Sequence, residues 1–316
     1  MKILFGWLLL MNWLMAETFQ EPIRQYISSG AVVDIRVDKN RLFCATDASC
    51  VDVFDIETAK IIKKIEVPKI ADFMGDEINS KVYSVDVMDE KIMLLSQANK
   101  GFRRVHIYHN KKLELLISEK DELYMVKARF LNKNTLILGL LSNEIISYDV
   151  EKKKINWREQ ISHSKFSDLV LNENKDEIVV ADESGNLKVL DVKDGALIGT
   201  LSGQNLDNVF QVDYKNGVIA TAGQDRRIVV YDRATSSSYY KSSSFLIYSV
   251  GLSPSGKIVG YASDENNNVT LFDTSTEETL GHFGGNKMTL SNILFINEKE
   301  FLVSSDDKVI NLFQVK

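Results

Sequence analysis

The sequence predicts an all-β fold, a β-propeller of seven four-stranded blades closed by an N-terminal strand that completes blade seven. Three observations carry that expectation. A short apolar run containing a late aspartate keeps returning, its upstream content returns with it, and the last unit stops one strand short while a spare strand stands near the start.

The runs are "CVDVFDI", "EIISYDV", "NLKVLDV", "RIVVYDR" and "NVTLFDT", with their aspartates at Asp55, Asp149, Asp191, Asp232 and Asp273. From Asp149 the spacings are 42, 41 and 41 residues, and another 41 reaches Gln314 in "VINLFQV". Backwards, 40 residues lead to His109 in "RVHIYHN", and 54 more to Asp55. The preceding residue is always aromatic or leucine: Phe54, Tyr108, Tyr148, Leu190, Tyr231, Phe272 and Phe313. Self-similarity at a fixed period of this length marks a repeat architecture.

Each unit reads as four short strands without helical periodicity. In the fifth they are "VFQVDY", "GVIATAG", "RIVVYD" and the Ser-rich stretch around "SSSYYKSSS"; the fourth and sixth read alike. The third strand is apolar at nearly every position, as a strand packed on both faces must be. The aspartate then opens the turn to the outermost strand, where its side chain can accept from the turn's own amides. The final unit ends after its third strand, and "EPIRQYISS" (21–29) precedes the first full blade. Using that strand as the missing fourth closes the ring and removes an open edge.

The units resemble WD40-type repeats over essentially the whole of residues 17–316, in a degenerate, bacterial form. Tyr, Phe or Leu stands where the family's Trp precedes the Asp, and the inner aspartate matches only at places such as Asp225 and Asp307. The Gly-His element is nearly absent: Gly203-Gln204 stands where it would fall, and Gly281-His282 reads as lying inside a strand. The side-chain network of well-conserved repeats is therefore not carried over.

The opening "MKILFGWLLLMNWLMAETFQ" has a basic residue, an apolar run and a small residue, Ala16. That is a secretory leader over residues 1–16, and a run interrupted by Asn12 is short for a membrane span, which takes about 20 residues. The expectation is a periplasmic protein with no stable membrane insertion once the leader is cut. No cysteine follows Ala16, so lipid attachment there has no support. Cys44 and Cys50 flank the hairpin-like "ATDAS" and are expected roughly opposite each other. They make either a cross-strand disulfide, which an oxidising compartment permits, or two partly buried free thiols.

A formal charge of −6 gives no footprint for nucleic-acid binding. There is no nucleophile elbow, zincin motif, P-loop or Gly-rich dinucleotide turn, and the four histidines do not cluster in sequence. Acids such as Asp182, Asp264, Asp306 and Asp307 read as turn formers. No catalytic residue, cofactor or metal site is expected, and few channel acids or arginines that could converge.

The period slips in blade two, at "KIADFMGDEINSK" (69–81) and "QANKGFRR" (97–104), two loops expected on one rim. Insertions on one face of a repeat array often mark its binding face. Phe73, Met74, Lys100, Arg103 and Arg104 are the candidate partner-binding residues, with Arg226 and Arg227 in the equivalent loop of blade five. The alternative is that they fold back on their own blades.

In overall layout the chain is similar to the NapL-type periplasmic proteins encoded with the periplasmic nitrate reductase in some bacteria. That resemblance implies an accessory role in maturation or electron delivery, with a nitrate reductase component as partner. The competing readings are a cofactor-binding or quinoprotein-like propeller enzyme and an outer-membrane assembly propeller. Fold alone does not choose among them.

Overall fold

The computed structural model describes residues 18–315; the leader expected over residues 1–16 lies outside them. Seven four-stranded antiparallel sheets follow one another around a ring. Blade one spans 32–66, blade two 82–117, blade three 125–160, blade four 166–201, blade five 209–242 and blade six 250–283. Blade seven takes three strands from the C-terminal end, Leu290–Phe295, Glu300–Ser305 and Val309–Gln314, and its fourth from Arg24–Ile27. That N-terminal strand runs antiparallel to Val309–Gln314, with Tyr26 opposite Ile310. The ring closes as the strand count predicts.

One pairing was not foreseen. Phe19–Gln20 adds a parallel rung to the outer strand of blade six, Phe19 opposite His282. The segment 19–27 is thereby tied to two neighbouring blades. His282 lies within a strand, as expected.

The third strands are buried almost throughout, for example Glu144–Asp149 and Arg227–Asp232. Their apolar side chains belong to seven clusters, each bridging two adjacent blades. Phe43 and Val53 of blade one meet Val85 and Leu94 of blade two, and Tyr26 meets Phe54 and Leu302 where blade seven meets blade one. Among the described residues there is no single central core; stability is shared among interfaces, as in other repeat proteins.

The aspartates that end these strands close the following turns. Asp55 accepts from Thr58 N at 2.8 Å, Asp149 from Lys152 N at 2.7 Å and Asp191 from Lys193 N at 2.8 Å. Asp232 accepts from Ala234 N and Asp273 from Ser275 N, each at 2.8 Å. Hydrogen bonds within these turns hold four of the carboxyls below the usual range, chiefly the Thr58 hydroxyl for Asp55, Lys152 N for Asp149, Thr235 N for Asp232 and the Ser275 hydroxyl for Asp273. The run that revealed the repeat is thus explained by packing and turn closure.

Antiparallel alternation gives the ring two different ends. Turns joining first to second and third to fourth strands emerge on one, here the turn rim. Turns joining second to third strands, and links from each outer strand to the next blade, emerge on the other, the loop rim.

Candidate functional site

Within the first blade-two insertion, Ile70–Ala71 and Glu77–Ile78 pair as a small hairpin on the loop rim. Its tip is a built turn: Asp72 Oδ1 accepts from Met74 N at 2.8 Å and Asp76 N at 3.0 Å, and Gly75 supplies a φ of 92°. Ile70 is buried beneath it. Ala71 N donates to Asn99 Oδ1 at 2.9 Å, which brings the second insertion against the first. This construction leaves Phe73 95% and Met74 73% exposed. They do not fold back onto their blade.

The arginines behave differently. Arg104 is buried, donating to the Pro68 carbonyl, Ser80 Oγ and Ser96 Oγ, and burial lowers its pKa. It pins the base of the hairpin and presents no charge to a partner. Arg103 donates to the Gly101 carbonyl at 2.6 Å and lies 4.1 Å from the Tyr83 ring centroid. Arg227 donates to the Gln204 carbonyl at 2.8 Å and lies 3.9 Å from the Tyr240 ring centroid. Only Lys100 and Arg226, both in left-handed backbone, stand exposed.

Sequence reading missed how far the apolar rim extends. Tyr124, Leu206, Phe245 and Met288 are each exposed in a different blade-to-blade link, and Leu141 lies in a turn of blade three. All emerge on the same rim as Phe73. Among the described residues, the remaining exposed large apolar side chains lie on outer strands, at the hairpin base or near the N-terminal end; none lies in a turn-rim turn. Single apolar residues in polar loops carry no periodicity, so only the unequal blade length pointed to this face.

The channel corrects a second expectation. Polar and charged inner-strand side chains do converge there, lining a cavity of about 340 Å³. Several serve as staples between adjacent inner strands. Asp34 accepts from Val85 N at 3.0 Å, Asp86 from Phe130 N at 2.7 Å and Asp168 from Val212 N at 3.1 Å. Gln211 accepts from Val250 N at 2.9 Å, Asp213 from Leu252 N at 2.8 Å, and Asn292 donates to the Val33 carbonyl at 3.3 Å. Blade six has no such side chain at Gly251, where a Cβ would stand 2.2 Å from the Ile293 carbonyl oxygen.

Cations lie among these carboxylates. Arg129 makes a two-pronged bond to Asp34, at 2.9 and 3.1 Å, and Lys127 pairs with Asp168. Burial opposes the charge of Asp34, but Arg129, Arg36 and Lys127 outweigh it and bring its pKa down to about 2. The alternation "DIR", "KAR" and "QVD" was a signal for this ring.

Cys44 pairs in register with Asp52, so it is diagonal to Cys50 and not opposite it. Both are buried free thiols, Cys50 within 3.3 Å of Thr46 Oγ1. Burial, reinforced by Asp52, raises the Cys44 thiol well above its ordinary value.

His106 is buried and its Nδ1 has no partner. Burial and the neighbouring Arg104 lower its pKa from 6.5 to about 4. The unfolded chain therefore binds more protons between those values, so this contribution is complete above about pH 6.5 and is lost as pH falls towards 4. Between pH 7 and pH 5 it should remove about 2 kcal/mol of stability. Urea unfolding of His106→Leu should show a correspondingly smaller loss over that interval; an unchanged loss would place the acid sensitivity elsewhere.

No family model and no curated protein matches this chain. Solved structures do. A chain of the Mitotic Checkpoint Complex superposes with a TM-score of 0.76 at 14% identity, covering 95% of this chain and 94% of that one. The Cps50 (Swd1) β-propeller domain of Myceliophteria thermophila gives 0.74 at 14% identity, covering 95% and 100%. With the strand count and the ring closure, these likenesses establish the fold of this chain as a seven-bladed WD40-like β-propeller.

Proposed function

We propose that this chain is an exported, non-enzymatic propeller that serves as a protein-interaction scaffold and holds its partner on the loop rim. The observation that carries the reading is the blade-two hairpin, which projects Phe73 and Met74 almost wholly into solvent. Rigid blades positioning contact loops is a common division of labour in such scaffolds. Fully burying both side chains against a partner would contribute roughly 3–6 kcal/mol. The likeness to a chain solved within the Mitotic Checkpoint Complex accords with such use of the fold.

Within that reading the leader directs the chain to the periplasm, and the partner is another periplasmic protein. The specific candidate is a component of the periplasmic nitrate reductase system, a role in maturation or electron delivery that rests on overall layout alone.

The test is affinity capture from the native envelope with wild type and a Phe73→Ser/Met74→Ser variant, followed by measured affinity for the captured protein. The variant should bind at least a hundredfold more weakly, the equivalent of about 3 kcal/mol, with an unchanged thermal transition. Equal affinity would overturn the rim assignment. A gene deletion that leaves nitrate reduction and reductase maturation intact would remove the nitrate reductase assignment and spare the scaffold.

A further inference from the structure

The channel holds a feature that neither blade stapling nor rim docking uses. Five cations line its cavity, Arg36, Lys127, Arg129, Lys175 and Lys215, with three lining carboxylates, Asp86, Asp168 and Asp213, while Asp34 in the channel wall pairs with Arg129 and Glu173 lies 3.7 Å from Lys215. Each of the three lining carboxylates already accepts a backbone N–H from the next blade. Lys127 and Arg129 have close acidic partners, whereas Arg36 and Lys175 do not. Arg36 reaches Asp86 only at 3.7 Å, and its hydrogen bond is to its own Ile35 carbonyl at 3.3 Å. Lys175 donates to the Phe130 carbonyl at 2.8 Å, which leaves two ammonium protons uncommitted.

Position adds to this. Inner strands run from the loop rim to the turn rim, so Arg36 lies further along the channel than Asp34, and Lys175 and Lys215 lie at turns of blades four and five. Arg36 and Lys175 therefore meet at the turn-rim mouth, opposite the hairpin and beside the Lys215–Glu173 pair. Behind them, Arg129 Nε is buried with no partner. Burial is the largest influence lowering the pKa of Arg36 and of Lys175; Arg129 adds to it for Arg36 against Asp34, Asp86 and Asp213, and for Lys175 Asp86 opposes it while Arg36 adds to it. An anion between them would relieve that crowding.

We propose that the turn-rim mouth of the channel binds a small oxyanion, a phosphate or carboxylate group, between Arg36, Lys175 and Lys215. Guanidinium and ammonium groups suit that ligand through charge-assisted hydrogen bonds, and the cavity has the volume of a small-molecule site. Binding there is separate from the loop rim and does not depend on it.

The experiment is calorimetric titration of the full chain, dialysed free of oxyanions, with inorganic phosphate and with citrate. Wild type should show saturable one-to-one binding to at least one probe, the tighter one assigning phosphate or carboxylate. Arg36→Met and Lys175→Met should each weaken it at least tenfold. Lys175 sits in a half-buried turn, so that variant keeps the test open if Arg36→Met fails to fold. Phe73→Ser/Met74→Ser should bind the probe as wild type does. Absence of saturable binding to both probes, or undiminished binding by Lys175→Met, would overturn the proposal.

Discussion

Asp34→Ala is expected to destabilise the chain by about 3–5 kcal/mol, because it strands the Arg129 guanidinium in the channel wall without its counter-ion. Asp34 and Arg129 are each about 5% exposed, and their two-pronged bond joins blade one to blade three. The same carboxylate also accepts from Val85 N of blade two, so three blades lose a common tether. The cost is dominated by the orphaned charge, not by the worth of the pair, since burying two ions offsets much of their attraction. Asp34→Ala/Arg129→Met should therefore recover part of the stability lost by Asp34→Ala alone. Urea unfolding of the two variants separates these terms. A single-variant loss below 1 kcal/mol, or a double variant less stable than the single, would contradict this description of the channel.

Tyr26→Ala should cost a comparable amount, about 3–5 kcal/mol, at the closure of the ring. Tyr26 is wholly buried, packs edge-on against Phe54 at 5.6 Å between centroids, and donates to the Ile56 carbonyl at 2.8 Å. Arg24 donates to the same carbonyl at 2.8 Å. Two side chains of the N-terminal strand thus bind blade one while its backbone completes blade seven. Ile27, on the same strand but 57% exposed, is the internal control; Ile27→Ala should stay within about 0.5 kcal/mol of wild type. Equal losses at the two positions would mean that the strand contributes backbone pairing without anchoring the closure.

Sequence and structure agree where one physical demand repeats in every blade. The third strand is buried on both faces, and in five of the seven blades an aspartate at its end closes the next turn, so pattern and spacing are repeated whatever else changes. Closure follows from counting strands, because an unpaired edge would be left otherwise. Agreement ends where the outcome depends on one residue's neighbours. Arg103 and Arg104 are adjacent and chemically alike, yet Arg104 is consumed by Pro68, Ser80 and Ser96. The channel charges were visible as alternation within single strands, but their pairing spans separations such as that of Asp34 from Arg129, which only the ring brings together. Cys44 and Cys50 depended on a register offset of two positions, beyond the resolution of a turn motif.

On the proposed function, the loop rim around the blade-two hairpin is the face that meets the partner. Site-specific photo-crosslinking in the native cells is the measurement, with the reactive group at Phe73 on that rim and, separately, at Lys133 in a turn on the opposite one. Position 73 should give a discrete adduct with one protein, and position 133 none with that protein. The same adduct from both positions, or from position 133 alone, would contradict that placement.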